Sequence, residues 1–168
     1  TMDTISGMGK VFKRHLKVWV LSHKYQPDML SFDITYENYQ KLTYKRQRAM
    51  EQGILLTDPE DYVPAKVTYR DQVYFVKMRL KGDWTDHLEG DSWSFRVIVK
   101  NNQTIGGMKK FSLHHPKTRR SLYEWLFHQL LKFEGLIGLR YDFVNVMVNG
   151  RPLGIYALEE HFEKRLIE

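Results

Sequence analysis

The 168-residue sequence predicts an α+β domain, an antiparallel β-sheet packed by one or two helices. Three observations predict it. Val144, Val146 and Val148 alternate with Asn145 and Met147 and run into Asn149-Gly150, a pair that accepts the positive φ angles of a two-residue hairpin turn. A meander of short strand-like runs occupies the middle of the chain. Two amphipathic stretches, one before the meander and one before the final hairpin, carry helical spacing.

In chain order, Val18-Trp19-Val20-Leu21 reads as an edge strand or docking segment, and Pro27 breaks the chain after it. Met29 to Ile34 alternates as a strand. Thr35 is an N-cap for a helix from Tyr36 to Gln52, which Gly53 stops. Lys66 to Tyr69 and Val73 to Leu80 are strands joined by a turn at Arg70-Asp71-Gln72, and Trp93 to Lys100 is a third strand ending in Asn101-Asn102. Met108 to Leu113 is a basic strand. Ser121 to Phe133 is a helix that must lie across the sheet, and Tyr141 to Leu158 is the closing hairpin.

Composition describes one globular domain, with 42% hydrophobic and 27% charged residues. The polar start Thr1 to Gly9 lacks the apolar stretch of a signal peptide, and no run approaches the roughly 20 apolar residues of a membrane span. The absence of cysteine excludes disulfides and Cys-ligated zinc without assigning a compartment. The net charge of +6 is concentrated: residues 1–48 hold nine Lys/Arg against four Asp/Glu. Residues 1–27 therefore read as a basic leader or docking segment, either solvated or apposed to an anionic surface. The pI of 9.4 alone does not make the chain a nucleic-acid binder.

Four segments carry a family resemblance. Asp61-Tyr62-Val63-Pro64-Ala65 with Val76-Lys77-Met78-Arg79-Leu80-Lys81-Gly82-Asp83 resembles the "Y-V-P-A … V-R-L-R-G-N" segment of the CotH kinase family, the spore-coat protein H group of atypical kinases. Ser94-Phe95-Arg96-Val97 is similar to its "K-S-Y-R-L" strand, and Gly107 to Leu113 to its "G-L-K-K-W-x-L" strand. Val146 to Glu160 resembles its "V-x-L-N-G-x-Y-L-G-V-Y-L-L-x-E" hairpin. The chain departs from the pattern at Trp93, where a basic residue is usual, and at Lys81-Gly82-Asp83, where "R-G-N" is usual.

The resemblance implies that residues 28–168 form a nucleotide-binding small lobe like that of a protein kinase, cut short before the catalytic lobe and inactive alone. It implies ATP with Mg²⁺ or Mn²⁺ as cofactors of the longer protein, a protein hydroxyl as phosphate acceptor, and a spore-coat, envelope or secreted location. The missing lobe is the implied partner, and an open apolar edge at its docking surface favours self-association. The alternative function is a non-catalytic interaction or scaffold domain of a spore-coat or envelope-associated protein. No catalytic residue and no metal ligand is assigned within this chain.

Arg79, Arg96 and Lys110 are the candidate phosphate-gripping cations, since each lies on a strand in a matching segment. Lys81 and Lys109 are neighbours assigned to the other face. The bland reading of each cation is a solvated strand residue. In the second helix Glu124, His128 and Lys132 share one stripe, opposite a broad apolar face of Leu122, Trp125, Leu126, Leu130 and Phe133. Glu124 is the candidate glutamate that orients a strand lysine. The backbone of Ala157, Leu158, Glu159 and Glu160 is the candidate hinge that meets adenine; otherwise Glu159-Glu160-His161 opens a terminal helix. His114-His115-Pro116 invites a metal, but adjacent strand residues face opposite ways and no acidic partner stands at ligand spacing.

Overall fold

The computed structural model describes residues 26–119 and 122–163. The expected basic leader and the strand or docking segment at Val18 to Leu21 lie outside the described residues. Within them the chain forms seven strands: β1 (Met29–Asp33), β2 (Val63–Tyr69), β3 (Gln72–Leu80), β4 (Phe95–Val99), β5 (Lys110–His114), β6 (Tyr141–Val148) and β7 (Arg151–Glu160). Helix α1 spans Tyr36–Gln52 and helix α2 spans Tyr123–Phe133. Short 3₁₀ turns occupy Pro59–Asp61, Thr85–Leu88 and Pro116–Arg119.

The strands close into a barrel in the order β1-β2-β3-β4-β5-β7-β6. This overturns the kinase-like small lobe, an open sheet with a packed helix. The seven strands were legible one by one; the closure was not. It is made by β1 running parallel to β6, from Met29 opposite Asn145 to Phe32 opposite Val148. Such pairing between distant strands leaves no trace in local periodicity. Two asparagines fasten it. The Asn145 backbone N–H donates to the Asp28 carbonyl at 2.8 Å, while Asn149 donates its N–H to the Phe32 carbonyl and accepts from the Ile34 N–H through Oδ1, both at 2.8 Å. A bulge in β7 at Leu153-Gly154, opposite Val146 and Met147, adds the bend that a closing strand needs.

Period-two alternation sorts the strands. Val67, Met78, Val97, Phe111, Val146 and Tyr156 point inward, at or near zero exposure, and fill the barrel. The Tyr156 hydroxyl reaches the Trp93 carbonyl at 3.0 Å, and burial holds its pKa well above the usual range. Turn chemistry is local and direct: Arg70-Asp71 and Asn149-Gly150 take positive φ at both central positions, as two-residue hairpins demand.

Helix α1 follows its sequence to the residue. The Thr35 hydroxyl accepts from the Asn38 N–H, Gly53 adopts φ 74° at the stop, and Leu42 and Ala49 join the core. Helix α2 does the reverse. Its apolar residues Leu122, Leu126, Leu130 and Phe133 are exposed, and the stripe containing Glu124 and His128 turns toward the barrel.

Candidate functional site

The reason for the inverted helix lies on the barrel's outer surface. The strand registers place Arg79 opposite Arg96, Arg96 opposite Ser112, Ser112 opposite Glu159 and Glu159 opposite Tyr141, a polar row across five strands. The next row holds Ser94 and His114. Water is displaced from much of this surface: Ser94, Ser112 and His114 are fully buried under the 82–93 loop, α2 and the end of β7. A helix packed on polar groups must itself present polar groups. His128 stacks on Tyr141 at 5.6 Å between ring centroids, and the Tyr141 hydroxyl lies 3.2 Å from His114 Nε2.

At the centre Lys81 Nζ donates to Glu159 Oε2 at 2.9 Å, with side-chain exposures of 12% and 20%. Its position corrects the reading that set Lys81 on the other face: Lys81 stands two residues beyond Arg79 and shares its side of the sheet. His114 Nδ1 lies 3.9 Å from the same Glu159 oxygen, and donor atoms of His114, Glu124 and Glu159 gather within 4.8 Å of one another. The register therefore brings to His114 the acidic partners that its sequence neighbours lack. The ammonium of Lys81 already provides a cation there. His115 turns away, its ring 6.4 Å from that of Tyr156.

The four sequence-predicted site residues meet different fates. Arg96 lines a cleft of about 370 Å³ with Lys81, Gly82, Asp83, Trp84, Asp86, His87 and Thr118. Its buried Nε makes no hydrogen bond among the described residues. Glu124 sits beside the Lys81–Glu159 pair, within the cluster of His114. Arg79 is diverted: its guanidinium lies 5.3 Å from the Tyr62 ring centre and donates to the Leu80 carbonyl at 2.9 Å. Lys110 pairs with Glu163 at 3.3 Å. Arg79, Arg96 and Lys110 thus do not line one cleft together, whereas Lys81 and Arg96 line the same one.

The hinge expectation also needs correction. Ala157 to Glu159 lie inside β7, paired to β5 on one side and β6 on the other, so the ladders engage their backbone groups; Glu160 ends the strand opposite Phe111. No terminal helix begins at Glu159 either, since Glu159 and Glu160 are strand residues. Glu160 is used structurally, accepting from the Arg140 N–H at 3.1 Å.

Two further residues were missed. Gly82 has φ 119°, and a Cβ there would meet His87 side-chain carbons at 2.6–2.8 Å, so a side chain would push the 85–88 turn off the cleft. His161 contacts Ser112 Oγ through Nε2 at 2.7 Å. Burial, reinforced by the Arg96 and Lys81 charges, pushes its pKa down to about 4, and Glu159 and Glu163 oppose that only in part. The ring is neutral at pH 7. No helix among the described residues is long and apolar enough to cross a membrane. No family model and no curated protein matches this chain, so the CotH resemblance stands on the quoted segments alone.

Proposed function

We propose that the chain is the nucleotide-binding part of a CotH-like phosphotransferase, with the polyphosphate held on the outer face of the barrel beside α2. The observation that carries this reading is the pairing of Lys81, steadied by Glu159, with Arg96, whose buried Nε has no hydrogen-bond partner among the described residues. Two cations fixed in a partly desolvated cleft offset phosphate repulsion at little reorganisation cost. Trp84, 71% exposed at the edge of the same cleft, offers an indole face for a purine, a role the β7 backbone does not offer. The cleft volume lies at the small end of the roughly 300–1,000 Å³ of ligand sites, fitting a polyphosphate whose base rests outside on Trp84.

Asp83 and Asp86 line this cleft and are of the oxygen-donor chemistry that Mg²⁺ or Mn²⁺ takes between protein and phosphate. When bound, such an ion would neutralise charge on the phosphates. This chain's residues bind and orient; transfer to a protein hydroxyl calls for carboxylates supplied by a joined partner domain. The test is thermal shift with ATP and Mg²⁺, repeated on Lys81→Ala, Arg96→Ala and Lys110→Ala. The expected result is stabilisation by ATP that the first two substitutions abolish and Lys110→Ala leaves intact. No shift with any nucleotide would contradict the reading.

The second reading, a non-catalytic scaffold domain, draws on a different observation, the apolar residues that α2 turns to solvent. It predicts binding of protein with no response to nucleotide.

A further inference from the structure

Helix α2 and the turn after it expose eight large apolar side chains, from Leu122 to Ile137, each at least half exposed. With large side chains offering roughly 100–200 Å² each, the patch presents on the order of 1,000 Å², beyond the roughly 300–600 Å² of the largest patch on a typical monomer. Its pattern is specific. Tyr123, Leu126, Leu130 and Phe133 fall at spacings of three, four and three, the seam of a helix that packs against another helix. Their outward orientation is fixed from beneath, because His128 and Glu124 hold the opposite face to the barrel.

We propose that the outer face of α2 is a two-fold interface between copies of this chain, built by α2 packing against its own copy. Area and chemistry select that occupant. Two such patches would bury between roughly 1,000 Å², if only the four seam residues are covered, and roughly 2,000 Å², if all eight are, a range that spans the standard size for a stable complex. No charged side chain falls on the seam, so a copy with the same net charge meets it without opposing like charges. A symmetric pair also requires only one self-complementary surface, which a short apolar seam provides.

The experiment uses the full 168-residue chain, in sedimentation velocity from about 1 µM to about 200 µM, a range that brackets micromolar dissociation constants. The expected result is a dimer in the wild type and a monomer–dimer Kd at least about tenfold weaker in Leu126→Glu with Leu130→Glu. Because the chain has no cysteine, Leu130→Cys gives a second readout that does not depend on tolerating buried charge. Oxidation should link it into a covalent dimer, while Tyr36→Cys, on α1 and more exposed at 79% against 53%, should form no covalent dimer. A wild-type monomer throughout the range, or equal cross-linking of the two cysteine variants, would overturn the proposal.

Discussion

The two helices carry similar sequence signals and behave in opposite ways. Helix α1 is capped by Thr35, stopped by Gly53 and buries Leu42 and Ala49 against the apolar core. Helix α2 has no side-chain cap, turns Glu124 and His128 inward and leaves Leu126, Phe127, Leu130 and Phe133 in solvent, with Trp125 and Leu131 half-buried. The difference lies in what each one covers. Beneath α1 the barrel offers apolar neighbours; beneath α2 it offers Tyr141, His114 and Glu159. A helix's amphipathicity fixes which residues share a face, whereas the surface it meets decides which face goes in.

The sharpest way to break this contrast is one substitution made in both helices. Leu42→Ala, at 2% exposure, should cost about 2–5 kcal/mol in denaturant unfolding, while Leu130→Ala, at 53% in the single chain, should stay within about 0.5 kcal/mol at protein concentrations too low for α2 to meet its copy. Equal costs would mean that α2 buries its apolar side after all. Next in size is Lys81→Ala, which leaves the Glu159 carboxylate without its ammonium. The loss should approach, without exceeding, the roughly 3–5 kcal/mol of a fully buried pair, and Lys81→Ala with Glu159→Ala should recover part of it. Full additivity in that double-mutant cycle would show the pair to be uncoupled.

Acid sharpens the comparison further. His161 is neutral when folded, with its pKa depressed to about 4, and takes up a proton near 6.5 when unfolded. Between those values the unfolded chain binds more protons, so stability is full above about pH 6.5 and falls as pH drops toward 4. His161→Asn should flatten that part of the stability curve; an unchanged slope would remove His161 as its cause. The smallest expected effect is Thr35→Ala. The cap bond to Asn38 is long at 3.4 Å, so a loss near 0.5 kcal/mol is expected, at the low end for N-caps. A loss well above 1 kcal/mol would show that the cap matters more than its length implies.

Local signals explain what was legible in the sequence. Strand alternation, the Asn149-Gly150 turn and both ends of α1 depend on near neighbours, and they follow the sequence closely. Closure depends on Met29–Phe32 meeting Asn145–Val148, which no local pattern encodes. The site was legible in part for the same reason. Arg96 and Glu124, both singled out from the sequence, lie close to Lys81 in the fold, and the side of the sheet that Lys81 takes could have been read too, since period two places it beside Arg79. The approach of Glu159 to Lys81 depends on the register of β7 against β5, and so does the diversion of strand cations such as Arg79 and Lys110 to other partners. Polar residues at the outward positions of β4 and β5, Arg96, Ser112 and His114, were the available hint that a helix above them would invert.

The claim on which the rest hangs is that Lys81 and Arg96 grip a polyphosphate while Trp84 receives the base. Calorimetric titration of Mg²⁺-ATP into the wild type, Arg96→Ala and Trp84→Ala measures it directly. The account predicts saturable one-to-one binding in the wild type, its loss in Arg96→Ala, and in Trp84→Ala a weakened site that still takes inorganic tripolyphosphate as the wild type does. Absence of heat in the wild type, or binding undiminished in Arg96→Ala, would contradict it.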